Sequence, residues 1–240
     1  VGARHVPAAY WSALEAAGAE VRSFSLIRRL PKVFRLNFRN HRKVVAVDSR
    51  LAILGGANLG DEYLGRDPAF GSWRDTAILL EGAAAAEIEA IFLEDWIWTG
   101  GAAPASPRRE PATAGDVPVL ILPSGPVDTA PTCTLAFLHL LASARERLWI
   151  ASPYFVPGQD LMSSLKLAAL RGVDGRVLIP DRPDQRLVWL AAFAYAREAI
   201  TAGISLQRYT DGFMHQKVLL IDDSVAAIGS ANLDNRSFRL

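Results

Sequence analysis

Two stretches of this chain repeat one another without a gap. His41–Leu59, HRKVVAVDSRLAILGGANL, aligns with His215–Leu233, HQKVLLIDDSVAAIGSANL, at an offset of 174 residues, and nine of the nineteen positions are identical. A helix–glycine–strand pattern precedes each copy, around Gly18 and around Gly203. Shared spacing across His-x-Lys-x4-Asp and Gly-Gly/Ser-x-Asn implies two homologous halves. Residues 100–117, rich in Gly, Ala and Pro, read as a linker between a first half, 1–99, and a second, 118–240.

Apolar runs of strand length alternate with helical ones, which predicts an α/β class with mixed sheets flanked by helices. Helices are expected at Ala8–Ala17, Ala83–Trp98, Leu135–Ala144, Asp160–Arg171 and Pro183–Ala202. Strands are expected at Glu20–Phe24, Lys43–Asp48, Leu51–Leu54 and Thr76–Glu81 in the first half. In the second they fall at Val119–Leu122, Leu148–Ala151, Arg176–Ile179, Ile204–Arg208, Val218–Asp222 and Val225–Ile228.

Half of the 240 residues are hydrophobic, enough for a sizeable core and too many for wholesale disorder. The single cysteine, Cys133, excludes an intrachain disulfide framework and a cysteine-based zinc site. The longest apolar run, Val188–Ala196, falls well short of the ~18–20 residues of a membrane span. The first residue is Val1 rather than Met, so a fragment or processed piece is expected.

The formal charge of +1 hides an imbalance. Arg28, Arg29, Lys32, Arg35, Arg39, Arg42 and Lys43 follow one another with no acid among them, leaving nineteen basic residues against twenty-five acidic ones elsewhere. Such a segment suggests an anionic partner. Leu26, Ile27, Leu30, Val33, Phe34, Leu36 and Phe38 are interleaved with it. That mixture fits a lipid headgroup interface at least as well as a nucleic-acid groove, and a solvated basic loop is the plain alternative.

Residues two apart in a strand share a face, so His41 pairs with Lys43 and His215 with Lys217. Asp48 and Asp222 come seven residues after their histidines, on the other face or in the turn, which gives them structural or orienting roles. Gly55-Gly56 and Gly229-Ser230 permit close backbone approach and leave Asn58 and Asn232 available as donors.

The paired motifs resemble those of the phospholipase D superfamily. The stretches NFRNHRKVVAVD, GSWRDT, SPYFVPGQDL, LKLAALRGVDGRVLIPDRPD and GFMHQKVLLIDDSVAAIGSANLDNRSF are similar to those of its bacterial cardiolipin synthase branch. The resemblance implies two phospholipase D-like halves with the active site between them. One histidine would attack phosphorus and the other would protonate the departing alcohol. By analogy His41 is the nucleophile and His215 the general acid/base, the reverse being left open. Lys43, Lys217, Asn58 and Asn232 would hold the non-bridging oxygens, with no metal and no cofactor expected. Asp75 is the carboxylate expected to orient the first-half histidine, and the second half's equivalent would lie past Leu240.

The resemblance further implies a phosphatidyltransferase making cardiolipin and glycerol from two phosphatidylglycerol molecules. Arg28, Arg29, Lys32, Arg35 and Arg39 would dock anionic phospholipid at the bacterial cytoplasmic membrane, the chain being peripheral and a longer parent anchored by N-terminal helices. A lipid hydrolase, a nucleic-acid phosphodiesterase and an inactive lipid-binding fragment are the alternatives. A pI near 8.1 and the apolar content of the basic segment argue against nucleic acid.

Overall fold

The structure is a computed structural model and describes residues 6–24, 40–104, 115–125 and 128–239. Its largest unit is a five-stranded mixed sheet in the order β11-β10-β5-β7-β8. These strands are β5 (Arg147–Ala151), β7 (Asp174–Pro180), β8 (Ser205–Tyr209), β10 (Val218–Ile221) and β11 (Val225–Ile228). β5, β7 and β8 run parallel, while β10 is antiparallel to both β5 and β11. The parallel strands are joined by the crossover helices α4 (Gln159–Leu170) and α5 (Arg186–Thr201). Another helix, α3 (Thr132–Ser143), precedes β5.

Helical spacing explains how these helices seat. Leu161, Met162, Leu165 and Ala168 form the buried face of α4, and Ala192, Ala196 and Ala199 that of α5. They close on a core that includes Leu148, Ile150, Phe155, Val177, Ile179, Leu219 and Ile221. Cys133 is buried in the same core, and burial pushes its thiol up to about 11.

A separate antiparallel sheet holds the first copy of the repeat, in the order β1-β2-β4: β1 (Val44–Val47), β2 (Leu51–Gly55) and β4 (Ala77–Glu81). Helix α2 (Ala83–Trp98) covers one face, where Ala52, Ala85 and Ile88 are buried. The alternate residues Val45, Ile53 and Leu79 remain 56%, 46% and 60% exposed. The remaining helices are α1 (Ala8–Ala16) and α6 (Asn235–Arg239).

Two expected strands are not formed. Glu20–Phe24 and Val119–Leu122 pair with no other strand among the described residues, and an extended segment without a ladder is not a strand. Four two-residue strands went unread because no periodicity shows in so short a piece: β3 (Trp73–Arg74), β6 (Phe155–Val156), β9 (Phe213–Met214) and β12 (Leu233–Asp234). They matter most for the site. β3 pairs in parallel with β9, and β6 with β12.

Candidate active site

The two copies of the repeat use the same backbone device. His41 and His215 lie just before β1 and β10, and Lys43 and Lys217 are the residues that enter those strands. The Gly55 N–H donates to the Lys43 carbonyl at 3.4 Å and the Gly229 N–H to the Lys217 carbonyl at 3.3 Å, which carries each hairpin ladder up to its lysine. Each lysine ammonium folds back onto its own histidine's carbonyl, Lys43 at 2.6 Å and Lys217 likewise.

The β3–β9 pairing joins the segments. The Phe213 N–H donates to the Ser72 carbonyl at 2.8 Å and the His215 N–H to the Arg74 carbonyl at 2.7 Å. Gly212 sits at φ +100°, and a Cβ there would overlap the Ser72 carbonyl, so only glycine admits this approach. Trp73 packs against Phe213 and Phe70, with its ring 5.2 Å from that of His215.

This splint sets Asp75 beside His215, and the ring Nδ1 lies 2.9 Å from Asp75 Oδ2. Asp75, the carboxylate expected at the first-half histidine, holds the histidine that opens the second copy of the repeat. The cause is the parallel register, which places the strand ending at Arg74 beside the one ending at Met214. Both side chains are largely buried, and the carboxylate, which can only accept, fixes the proton on Nδ1 and leaves Nε2 as the free nitrogen. Lys217 Nζ is also 2.7 Å from Nδ1, a contact of charge with dipole once Nδ1 donates to Asp75. Beside it, the Gln216 amide donates to the Thr76 hydroxyl.

Burial dominates the electrostatics. It pulls Lys217 down to about 7, with Asp75 opposing and Lys43 assisting. It also lowers Lys43 against the pull of Asp75. His215 falls below its ordinary value through burial, against its own hydrogen bond to Asp75 and with the Lys217 charge assisting. Both lysines therefore share the field of one carboxylate, and the two copies of the motif converge on Asp75.

The other expected residues sort by place. Asn58 donates to the Tyr63 hydroxyl at 2.5 Å, in the 3₁₀ turn Asp61–Leu64. Asn232 Oδ1 is buried with no hydrogen-bond partner among the described residues. Gly56 backs directly onto the Asp75 carboxylate, where a Cβ would overlap Oδ1, whereas Gly229 and its neighbour Ser230 meet no such constraint, nothing lying within 4 Å of a Cβ at Gly229. Gly55 is pressed against the backbone of Thr76 and Ala77.

Asp48 and Asp222 lie in the hairpin turns at the far ends of β1 and β10, at φ 54° and 50°. The Asp222 carboxylate accepts the backbone N–H groups of Arg145, Glu146 and Arg147 at 2.9 to 3.3 Å, fastening the hairpin to the start of β5; these bonds hold it below its ordinary pKa. Arg28, Arg29, Lys32, Arg35 and Arg39, and with them the Leu26–Phe38 segment, lie outside the described residues. Arg42, the next basic residue, pairs with Asp95 of α2 at 2.8 Å.

Two side chains, Tyr63 and Asp184, escaped the sequence reading. Tyr63, Tyr154 and Asp184 all lie within electrostatic reach of one another, and Asp184 bears on both His215 and Lys217. The local signal was slight: Tyr154 and Asp184 stand in the stretches SPYFVPG and PDRPD, whose Pro and Gly mark loops after strands.

This mixed α/β fold carries its paired histidine–lysine motifs on two sheets, and it is similar to phospholipase D-like proteins. Residues 137–240 match the family described as "Cardiolipin synthase, PLD-like domain". Along its whole length the chain is similar to "Cardiolipin synthase A" of Pseudomonas putida F1, 49% identical over 242 residues, and to that of Pseudomonas fluorescens SBW25, 45% identical over 240. All of this chain and 50% of each relative are covered, so the chain spans about half their length. Among solved structures, a phosphatidylserine synthase from Haemophilus influenzae superposes with a TM-score of 0.59 at 17% identity, covering 83% of this chain and 55% of that one. A polyphosphate kinase from Porphyromonas gingivalis does so at 0.53 and 14%, covering 97% and 37%. These two likenesses concern the fold alone.

Proposed function

We propose that the protein is a phosphatidyltransferase of the cardiolipin synthase type, built of two phospholipase D-like halves, 1–99 and 118–240, with the site between them. The observation that carries this reading is the hydrogen bond from His215 to Asp75, a carboxylate whose charge is felt by both Lys43 and Lys217. Two cationic side chains suit the non-bridging oxygens of a phosphodiester, and an oriented imidazole suits proton transfer.

In the proposed reaction, His41 attacks the phosphorus of one phosphatidylglycerol. The P–O bond to glycerol breaks as the P–N bond forms, and His215 delivers a proton to the glycerol oxygen. His215 then takes the proton of a hydroxyl on a second phosphatidylglycerol, whose oxygen displaces the histidine and completes cardiolipin. Asp75 steadies the imidazolium that forms during each transfer. Lys43, Lys217 and the amides Asn58 and Asn232 hold the phosphoryl oxygens. The basic, apolar-studded stretch with Arg28, Arg29, Lys32, Arg35 and Arg39 docks the cytoplasmic membrane; no helix among the described residues is long and apolar enough to cross one.

The test is a lipid product assay on phosphatidylglycerol vesicles, read by mass spectrometry. Cardiolipin and glycerol in equal amounts are expected, and loss of both in His41→Asn and in His215→Asn. Phosphatidic acid as the sole product would replace this reading with a hydrolase.

A further inference from the structure

Asp184 has no part in the chemistry above, yet the sheet delivers it to the site. β5, β7 and β8 are parallel neighbours, so the chain leaves all three at one edge. Past β5 it reaches Tyr154, past β7 Asp184, and past β8 Gly212 and His215. This is the edge at which open α/β sheets place their ligands. The Tyr154 loop is fixed there: Ser152 Oγ donates to the Tyr154 carbonyl at 2.7 Å and accepts the Leu233 N–H at 2.9 Å, next to Asn232.

The Tyr154 hydroxyl donates to Asp184 Oδ2 at 2.5 Å, and Oδ1 accepts the Gln185 N–H at 2.6 Å. Burial and the neighbouring carboxylate keep the phenol protonated, so it remains a donor. Each carboxylate oxygen accepts about two hydrogen bonds. Among the described residues one position on each is thus unspent, and Asp184 is exposed. A carboxylate whose charge is felt at His215 and Lys217 repels the phosphate oxygens that the lysines attract. The ligand it favours is a neutral donor, and two unspent acceptors on one carboxylate match the two hydroxyls of a diol.

We propose that Asp184, held by Tyr154, is a specificity residue that binds the hydroxyls of the polyol entering or leaving the site. This rests on the phosphatidyl-transfer reading above. Water and monohydric alcohols cannot make the paired contact, so Asp184 would favour glycerol-type alcohols over them.

The experiment is a competition. The full-length protein is given phosphatidylglycerol vesicles in an equimolar mixture of deuterated glycerol and propan-1-ol. The ratio of the two phosphatidyl products is then read by mass spectrometry. Because both form in one reaction, any loss of folded or active protein cancels. Asp184→Asn should lower the glycerol-to-propanol ratio about tenfold, and Tyr154→Phe should lower it less. An unchanged ratio in Asp184→Asn overturns the role of Asp184 and leaves phosphatidyl transfer standing. Absence of both products with the unaltered protein overturns the two together.

Discussion

Asp75 and His215 stand 140 residues apart in sequence and share one hydrogen bond of 2.9 Å. Asp75 follows the first copy of the repeat and His215 opens the second, so the histidine of one motif takes its orientation from the strand that follows the other. The symmetry of the sequence is thereby broken in space.

Replacing Asp75 by Asn tests that orientation. An amide can present its NH₂ to Nδ1 and reverse the tautomer, which places the proton on Nε2, where the second step needs a lone pair to take the alcohol's proton, and it leaves no carboxylate to steady the imidazolium. Turnover should fall by roughly 10³–10⁴-fold with the fold intact. Circular dichroism and the lipid assay together check this; turnover within threefold of the unaltered protein would rule it out.

Gly56, whose counterpart in the repeat is Ser230, backs onto the Asp75 carboxylate, whereas Gly229, the counterpart of Gly55, has nothing within 4 Å of a Cβ. Gly56→Ala should therefore push Asp75 off His215 and cost turnover about 10²-fold, while Gly229→Ala stays near the original rate. Equal losses in the two variants would argue against the asymmetry. Parallel assays of the pair suffice.

Gly212→Ala should act on stability as well as rate. The left-handed backbone costs about 1–2 kcal/mol with a Cβ, and the overlap with Ser72 adds about 1–3 kcal/mol. Thermal unfolding should show a clearly lowered Tm, and a Tm unchanged within error would contradict the close strand approach.

Lys217 predicts a pH dependence whose sign can be worked out. Its pKa is lowered from 10.5 to about 7 on folding, so within that interval the unfolded chain holds a proton that the folded chain has released. Stability contributed by this group is present above 10.5, and falls as pH drops toward 7. Urea midpoints at pH 7 and pH 9 should differ less in Lys217→Met than in the unaltered protein. In turnover the direction is opposite. The charged ammonium is the form that binds phosphate, so kcat/KM should decline above pH 7, and a flat profile to pH 9 would count against that binding role.

Much of the fold was legible because it is local. The 3.6-residue spacing fixes Ala83–Trp98 as a helix to the residue, and the turn residues around Asp48 and Asp222 set both hairpins. Of the candidate site, the repeat pointed to His215 and Lys217, which the structure sets 2.7 Å apart. The pairing of Asp75 with His215 was not legible, since it depends on a two-residue strand pairing across the chain. Asp184 was hidden for the same reason, its meeting with Tyr154 being a property of parallel strand order. Glu20–Phe24 shows the converse, a β-like composition with nothing among the described residues to pair with.

The β3–β9 splint also puts the reaction under the control of chain assembly. A ribosome that has released only the first motif has made a carboxylate with no imidazole to steady. Until residue 215 emerges and β9 finds β3, Asp75 has no His215 ring to orient. Under the function proposed above, a nascent or clipped chain that lacks His215 would leave lipids untouched.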